Sequence, residues 1–167
     1  MRLTARELNL SLAGAVAALA LLSAPAAAHG GAPDLKVGEK VPAVSGPGAA
    51  TGQVRAVDYA RSKATVLLFF MPDCPHCHKM IPEWNRAFER KPAGIEIVGL
   101  MLGQEPPGFF DLFPVKFPVL RYDGRDAAAH FKLHQVPLMV RVGKAGLVED
   151  VAQGVIDPIR VGEIFRP

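Results

Sequence analysis

Cys74 and Cys77 stand three apart in the run Cys74-Pro75-His76-Cys77, and the 167-residue chain has no other cysteine. At that spacing the sulfurs can close a small ring, so the pair can cycle between dithiol and disulfide. A structural staple would normally join distant segments. Zinc would want about four Cys/His ligands in paired spacings, and the chain has no second C-x-x-C. The motif therefore offers a redox site, with two inert buried thiols as the bland alternative.

The neighbouring residue types say how such a site would work. The apolar run Val66-Leu67-Leu68-Phe69-Phe70 precedes the motif, and Pro75 suits the first turn of a helix. Cys74 then sits at a helix N-terminus, where unpaired amides and the helix dipole favour an anion and stabilise its thiolate. Cys77, one turn further in, is shielded and resolves a mixed disulfide formed at Cys74. His76 can give the thiolate a hydrogen bond or a positive charge, which stabilises the reduced form and makes the disulfide more oxidising. Asp73 works against this, because a neighbouring carboxylate disfavours a second anion.

The elements that must hold this motif follow from hydrophobic pattern. Ala64 to Met71 is an apolar run whose two faces must both be covered, as in a central strand. A helix from Pro75 to about Arg90 puts Ile81, Trp84, Ala87 and Phe88 on one face, with Pro82 expected to kink it. Ile95 to Leu102 is a second buried strand, so strand, helix and strand form a parallel crossover. A short helix is expected around Phe109 to Phe113, an extended piece over Phe117 to Leu120, and a helix from Asp126 to Lys132. Leu138 to Val142 and Leu147 to Ala152 form a hairpin through Gly143-Lys144-Ala145-Gly146. Asp157-Pro158 opens a last helix through Ile164. Gln53 to Val57 reads as a short strand, followed by a turn or short helix capped by Asp58. Leu35 to Pro42 reads as an extended lead-in packing loosely on the rest.

The N-terminus reads as an export signal. Arg2 and Arg6 make a basic n-region diluted by Glu7, Leu10 to Leu22 is apolar, and Ala26-Ala27-Ala28 supplies an Ala-x-Ala cleavage site. Cleavage after Ala28 would start the mature chain at His29. An uncleaved anchor is the alternative, since about 20 largely apolar residues can cross a bilayer. Either way the folded part is expected outside the cytoplasm, in a periplasm. Residues 1–28 are thus a signal peptide, 29–50 a lead-in rich in Gly, Ala and Pro, and 51–167 one domain with room for a real core. The formal net charge is +3 with no long basic block, so no nucleic-acid partner is expected.

The residues Phe69-Phe70-Met71-Pro72-Asp73-Cys74-Pro75-His76-Cys77, Pro82 and Val136-Pro137 resemble the thioredoxin superfamily. With the lead-in Val37-Gly38-Glu39-Lys40-Val41-Pro42 and the order of elements, the chain is most similar to TlpA/ResA-type extracytoplasmic thiol-disulfide oxidoreductases. The resemblance runs from about Leu35 onward and implies an α/β thioredoxin-like fold, a central mixed β-sheet flanked by helices. It implies a cis peptide at Val136-Pro137 facing the Cys74 sulfur, with the Val136 backbone free to pair with a substrate strand and Asp73 and Pro75 beside it. Implied partners are protein thiols and disulfides and a membrane thiol electron carrier, with cytochrome c maturation as one task and no cofactor.

The chain also departs from that family. Asp73 stands where tryptophan is usual, Met80 where TlpA/ResA-type proteins commonly have glutamate, and Leu68 where ordinary thioredoxins bury an aspartate. Pro75-His76 and Val136 are instead similar to DsbA-type oxidases, although residues 103–116 are too short for the helical insertion of those proteins. A disulfide-donating oxidase is therefore an alternative. A copper-binding chaperone is another, because His76, His78 and Met80 beside two thiols offer soft ligands for Cu(I). A mature His29 could also chelate copper through its amine and imidazole, but no ordered second site is evident there. His130 and His134 are expected at the surface, the helix ending before His134. Trp84, Phe88, Phe109, Phe110 and Phe113 read as core or pocket lining.

Overall fold

The computed structural model describes residues 33–167, so the expected signal peptide and His29 lie outside the described residues. Among those described, no helix is long and apolar enough to cross a membrane. The strands are β1 (Ser45–Pro47), β2 (Val54–Ala56), β3 (Ala64–Phe70), β4 (Ile95–Leu102), β5 (Val119–Tyr122), β6 (Leu138–Gly143) and β7 (Val148–Gln153). The helices are α1 (Pro75–Arg90), α2 (Phe109–Leu112), α3 (Gly124–Phe131) and α4 (Pro158–Ile164), with a 3₁₀ turn at Tyr59–Arg61.

Five strands form a mixed sheet in the order β5-β4-β3-β6-β7. β3 pairs parallel with β4 and antiparallel with β6, so the strand leading to the cysteines is the central one. All seven of its residues are buried, as a run without polar alternation requires. Val66, Leu68 and Phe70 pack on one face with Ile81 and Trp84 of α1 and Val161 and Ile164 of α4. Leu67 and Phe69 pack on the other with Val41, Val44, Tyr59, Ala127 and Phe131. This is the expected thioredoxin-like arrangement.

Local chemistry sets the helix starts. Asp123 accepts the Arg125 amide at 2.7 Å and Asp157 the Arg160 amide at 2.9 Å. The first of these caps starts α3 two residues before the expected Asp126, because the side chain able to cap lies upstream of the apolar pattern. α1 runs from Pro75 to Arg90 through Pro82, which lies inside the helix and, having no N–H, leaves it one backbone hydrogen bond short. Gly99 lies where strand and aromatics close in: a Cβ there would come within 2.8 Å of the Phe117 ring.

The lead-in is more tightly held than its composition suggests. Leu35, Val41 and Val44 are buried in the core. The Gly38 amide donates to the Val148 carbonyl and the Val148 amide to the Glu39 carbonyl, both at 2.8 Å, which covers the β7 edge. The same chain then forms β1, unanticipated in the sequence, and the Ala49 amide donates to the Val119 carbonyl at the opposite edge. Gly46 permits this approach, because a Cβ there would collide with the Arg121 carbonyl oxygen. One segment thus blunts both free edges of the sheet, where unpaired backbone groups would otherwise invite another chain.

Candidate redox site

β3 ends at Phe70 and the chain turns through Met71-Pro72-Asp73 into α1, whose N-cap is Cys74. The Cys74 amide donates to the Met71 carbonyl at 3.2 Å, tightening that turn. The Cys74 sulfur does what a capping side chain does: it accepts the Cys77 amide at 3.3 Å. It is half-buried and lies 3.8 Å from the Val136 carbonyl oxygen, across a Val136–Pro137 peptide bond that is cis. Residues 62 apart in sequence therefore meet at one sulfur.

Cys77 is fully buried behind it. Burial pushes its thiol well above the ordinary value, and contact with the Cys74 sulfur and the charges of Cys74 and Asp73 push the same way. Only a smaller backbone contact at Met71 opposes them. The two cysteines are thus chemically unequal: one is only partly buried at a helix start, and burial of the other favours its protonated form. Leu68 and Met80 are both buried apolar side chains in the cluster that contains Cys77.

The other expected residues are distributed unevenly. Asp73, Pro75 and His76 are exposed around the sulfur, and Val136 is half-buried. Among the described residues the His76 ring makes no hydrogen bond. The soft ligands considered for copper do not converge. Met80 is 1 % exposed within the core, while the His78 ring is engaged elsewhere. No group of three or more His, Cys, Asp or Glu side chains able to hold a metal ion occurs among the described residues. α3 ends at Phe131, with Lys132 in the left-handed region, so His130 and His134 share no helix face. His134 instead meets Asp34 at 3.1 Å.

Nothing in the linear pattern pairs His78 with the turn before the cysteines. Its Nε2 lies 2.7 Å from the Pro72 carbonyl oxygen, and its ring stacks on Phe113 at a centroid distance of 3.9 Å and 20° between planes. The available signal was its position four residues after Cys74, which returns it to the helix face carrying Cys74. Phe109 and Phe113 stand next to it, in α2 and at its C-cap. Separately, a cavity of about 720 Å³ opens between residues 48–55 and 110–120, lined by Ala49, Val54, Phe110, Val115 and Val119, and neither cysteine borders it.

The AhpC/TSA family model matches residues 37–147. Among solved structures, the chain is similar to DsbF from MTB, captured in mixed oxidised and reduced forms, with 25% identity and a TM-score of 0.63 over 73% of this chain and 92% of that one. A thiol:disulfide interchange protein of the thioredoxin family from Chlorobium tepidum aligns with 18% identity and a TM-score of 0.63, over 78% of this chain and 95% of that one. A secreted Mycobacterium tuberculosis disulfide oxidoreductase homologous to E. coli DsbE gives 16% and 0.60, over 73% and 93%. No curated protein matches the sequence.

Proposed function

The chain belongs to the AhpC/TSA family of the thioredoxin superfamily, and on that premise we propose that it is an extracytoplasmic thiol-disulfide oxidoreductase acting on protein thiols through Cys74 and Cys77. The observation that carries the proposal is the inequality of the two sulfurs. Cys74 is reachable and accepts a helix-start amide at 3.3 Å, while Cys77 is buried directly behind it.

As a reductant, the Cys74 thiolate attacks one sulfur of a substrate disulfide. A Cys74–substrate disulfide forms, and the other substrate sulfur leaves as a thiolate and takes up a proton. The Cys77 thiol then gives up its proton and attacks the Cys74 sulfur, releasing the second substrate thiol and leaving a Cys74–Cys77 disulfide. Two electrons have passed to the substrate. A thiol carrier in the membrane would return them, and cytochrome c maturation is the task the sequence resemblance suggests. The Val136 backbone and Pro137 would flank the substrate strand, with Asp73 and Pro75 at the rim. The exposed His76 would tune the Cys74 thiolate through its positive charge.

The secreted relative supports an extracytoplasmic site of action. The reverse direction, donation of a disulfide, is the second reading, favoured by Pro75-His76 between the cysteines. Equilibration of the purified protein with glutathione buffers distinguishes them. A potential near the roughly −270 mV of thioredoxin supports a reductant, and one near the roughly −120 mV of DsbA an oxidase. Cys77→Ser should trap a substrate through Cys74, and Cys74→Ser should trap none. Absence of any reversible couple, with tight Cu(I) binding lost in Cys74→Ser, would overturn the enzyme reading in favour of a copper chaperone.

A further inference from the structure

The His78 ring ties the turn before the cysteines to the α2 segment. Its Nε2 stands 2.7 Å from the Pro72 carbonyl oxygen. A carbonyl oxygen only accepts, so the ring must donate, and the proton of the neutral imidazole belongs on Nε2. The bonded carbonyl lies two residues before Cys74, inside the turn that sets the direction of the cysteine. The other side of the ring stacks on Phe113 at 3.9 Å and 20°. Phe113 is backed by the buried Phe109: its amide donates to the Phe109 carbonyl at 2.8 Å, and the two ring centroids lie 5.5 Å apart.

Two turns along the same stripe of α1, Asn85 repeats the device. Its Nδ2 donates to the Pro114 carbonyl at 2.7 Å and its Oδ1 accepts the Lys116 amide at 2.9 Å. Positions 78 and 85 are seven apart, so they share a helix face. Both of them tie α1 to the segment from Phe109 to Lys116.

We propose that His78 is a positioning residue for the redox centre: clamped between the Pro72 carbonyl and the Phe113 ring, it fixes the Met71–Asp73 turn and so the aim of the Cys74 sulfur at the Cys77 amide. This rests on the reading of Cys74 as the nucleophile. Loss of the donor frees the turn and weakens the 3.3 Å contact that stabilises the Cys74 thiolate. The reduced form then loses stability relative to the disulfide.

Two variants separate the halves of the clamp. His78→Gln keeps a donor at the position of Nε2 and removes the stack. His78→Phe keeps a stack on Phe113 and removes the donor. The expected result is that His78→Phe shifts the glutathione equilibrium of the Cys74–Cys77 pair roughly fivefold toward the disulfide, the worth of one neutral hydrogen bond, and slows alkylation of Cys74 at neutral pH. His78→Gln should restore most of both. A purely structural role would lower the melting temperature of both variants and leave equilibrium and alkylation rate unchanged; that outcome overturns the proposal. In case His78→Phe does not fold, nitrogen NMR of the unmodified protein gives an independent test. A neutral His78 ring protonated on Nε2 supports the clamp, and one protonated on Nδ1 overturns it. If the unmodified protein shows no reversible couple, it is the oxidoreductase reading that fails, and the NMR result still decides the clamp.

Discussion

Replacing Cys77 by alanine should change how the reduced protein responds to alkali. In the unfolded chain the thiol ionises near its ordinary value of 9.0, whereas in the folded, reduced protein burial keeps it protonated far above that. Above pH 9 the native state therefore binds one more proton than the unfolded state, and stability falls as pH rises. Below pH 9 both states hold the proton, and the group contributes no slope. For one such group the loss between pH 8 and pH 10 is about 1.4 kcal/mol, approaching about 1.36 kcal/mol per further pH unit. Tyr59, also raised by burial and donating to the Pro42 carbonyl, adds a similar loss at higher pH, but it is present in both proteins and cancels in their difference. The assay is urea unfolding of the fully reduced protein and of Cys77→Ala at pH 8, 9 and 10. The expected outcome is that the gap between the two narrows or widens in favour of the variant by about 1.4 kcal/mol across that range. Parallel pH profiles would refute the assignment of Cys77 as a buried thiol held protonated, and with it the chemical inequality on which the proposed mechanism rests.

Two further predictions test the scaffold around the site. Gly99→Ala places a methyl 2.8 Å from Phe117, 3.1 Å from Phe70 and 3.2 Å from Val119, so it should cost about 1–3 kcal/mol by overpacking in chemical denaturation; a neutral result would mean that β5 can move away from β4. The Thr65 hydroxyl is fully buried with no hydrogen-bond partner among the described residues, so Thr65→Val should stabilise the protein by about 1 kcal/mol and raise its melting temperature. A clear drop instead would reveal a polar partner for the hydroxyl in solution.

Much of the scaffold was legible because its signals are local. The apolar run from Ala64, proline after Cys74, and Asp157-Pro158 each combine a burial pattern with a capping or turn residue, and β3, α1 and α4 lie where those signals put them. The hairpin of β6 and β7 followed from glycines flanking a turn. The lead-in was misjudged for the opposite reason. Its Gly, Ala and Pro content suggests loose chain, yet Leu35, Val41 and Val44 are spaced to reach a core that other elements create, and β1 exists because β2 and the β5 edge are there to pair with it.

The site divides along the same line. Sequence alone determined that two thiols stand at the start of a helix after a buried strand, because spacing, proline and hydrophobicity act within a few residues of one another. Tertiary structure decided which groups surround those thiols. It brought the Val136 carbonyl within 3.8 Å of Cys74, left His76 exposed and withdrew Met80 into the core. It also turned His78 from a candidate metal ligand into a donor to Pro72 stacked on Phe113. Such contacts depend on how separate elements cross in space, and a linear pattern of residues carries the period of each element but not the distance between two of them.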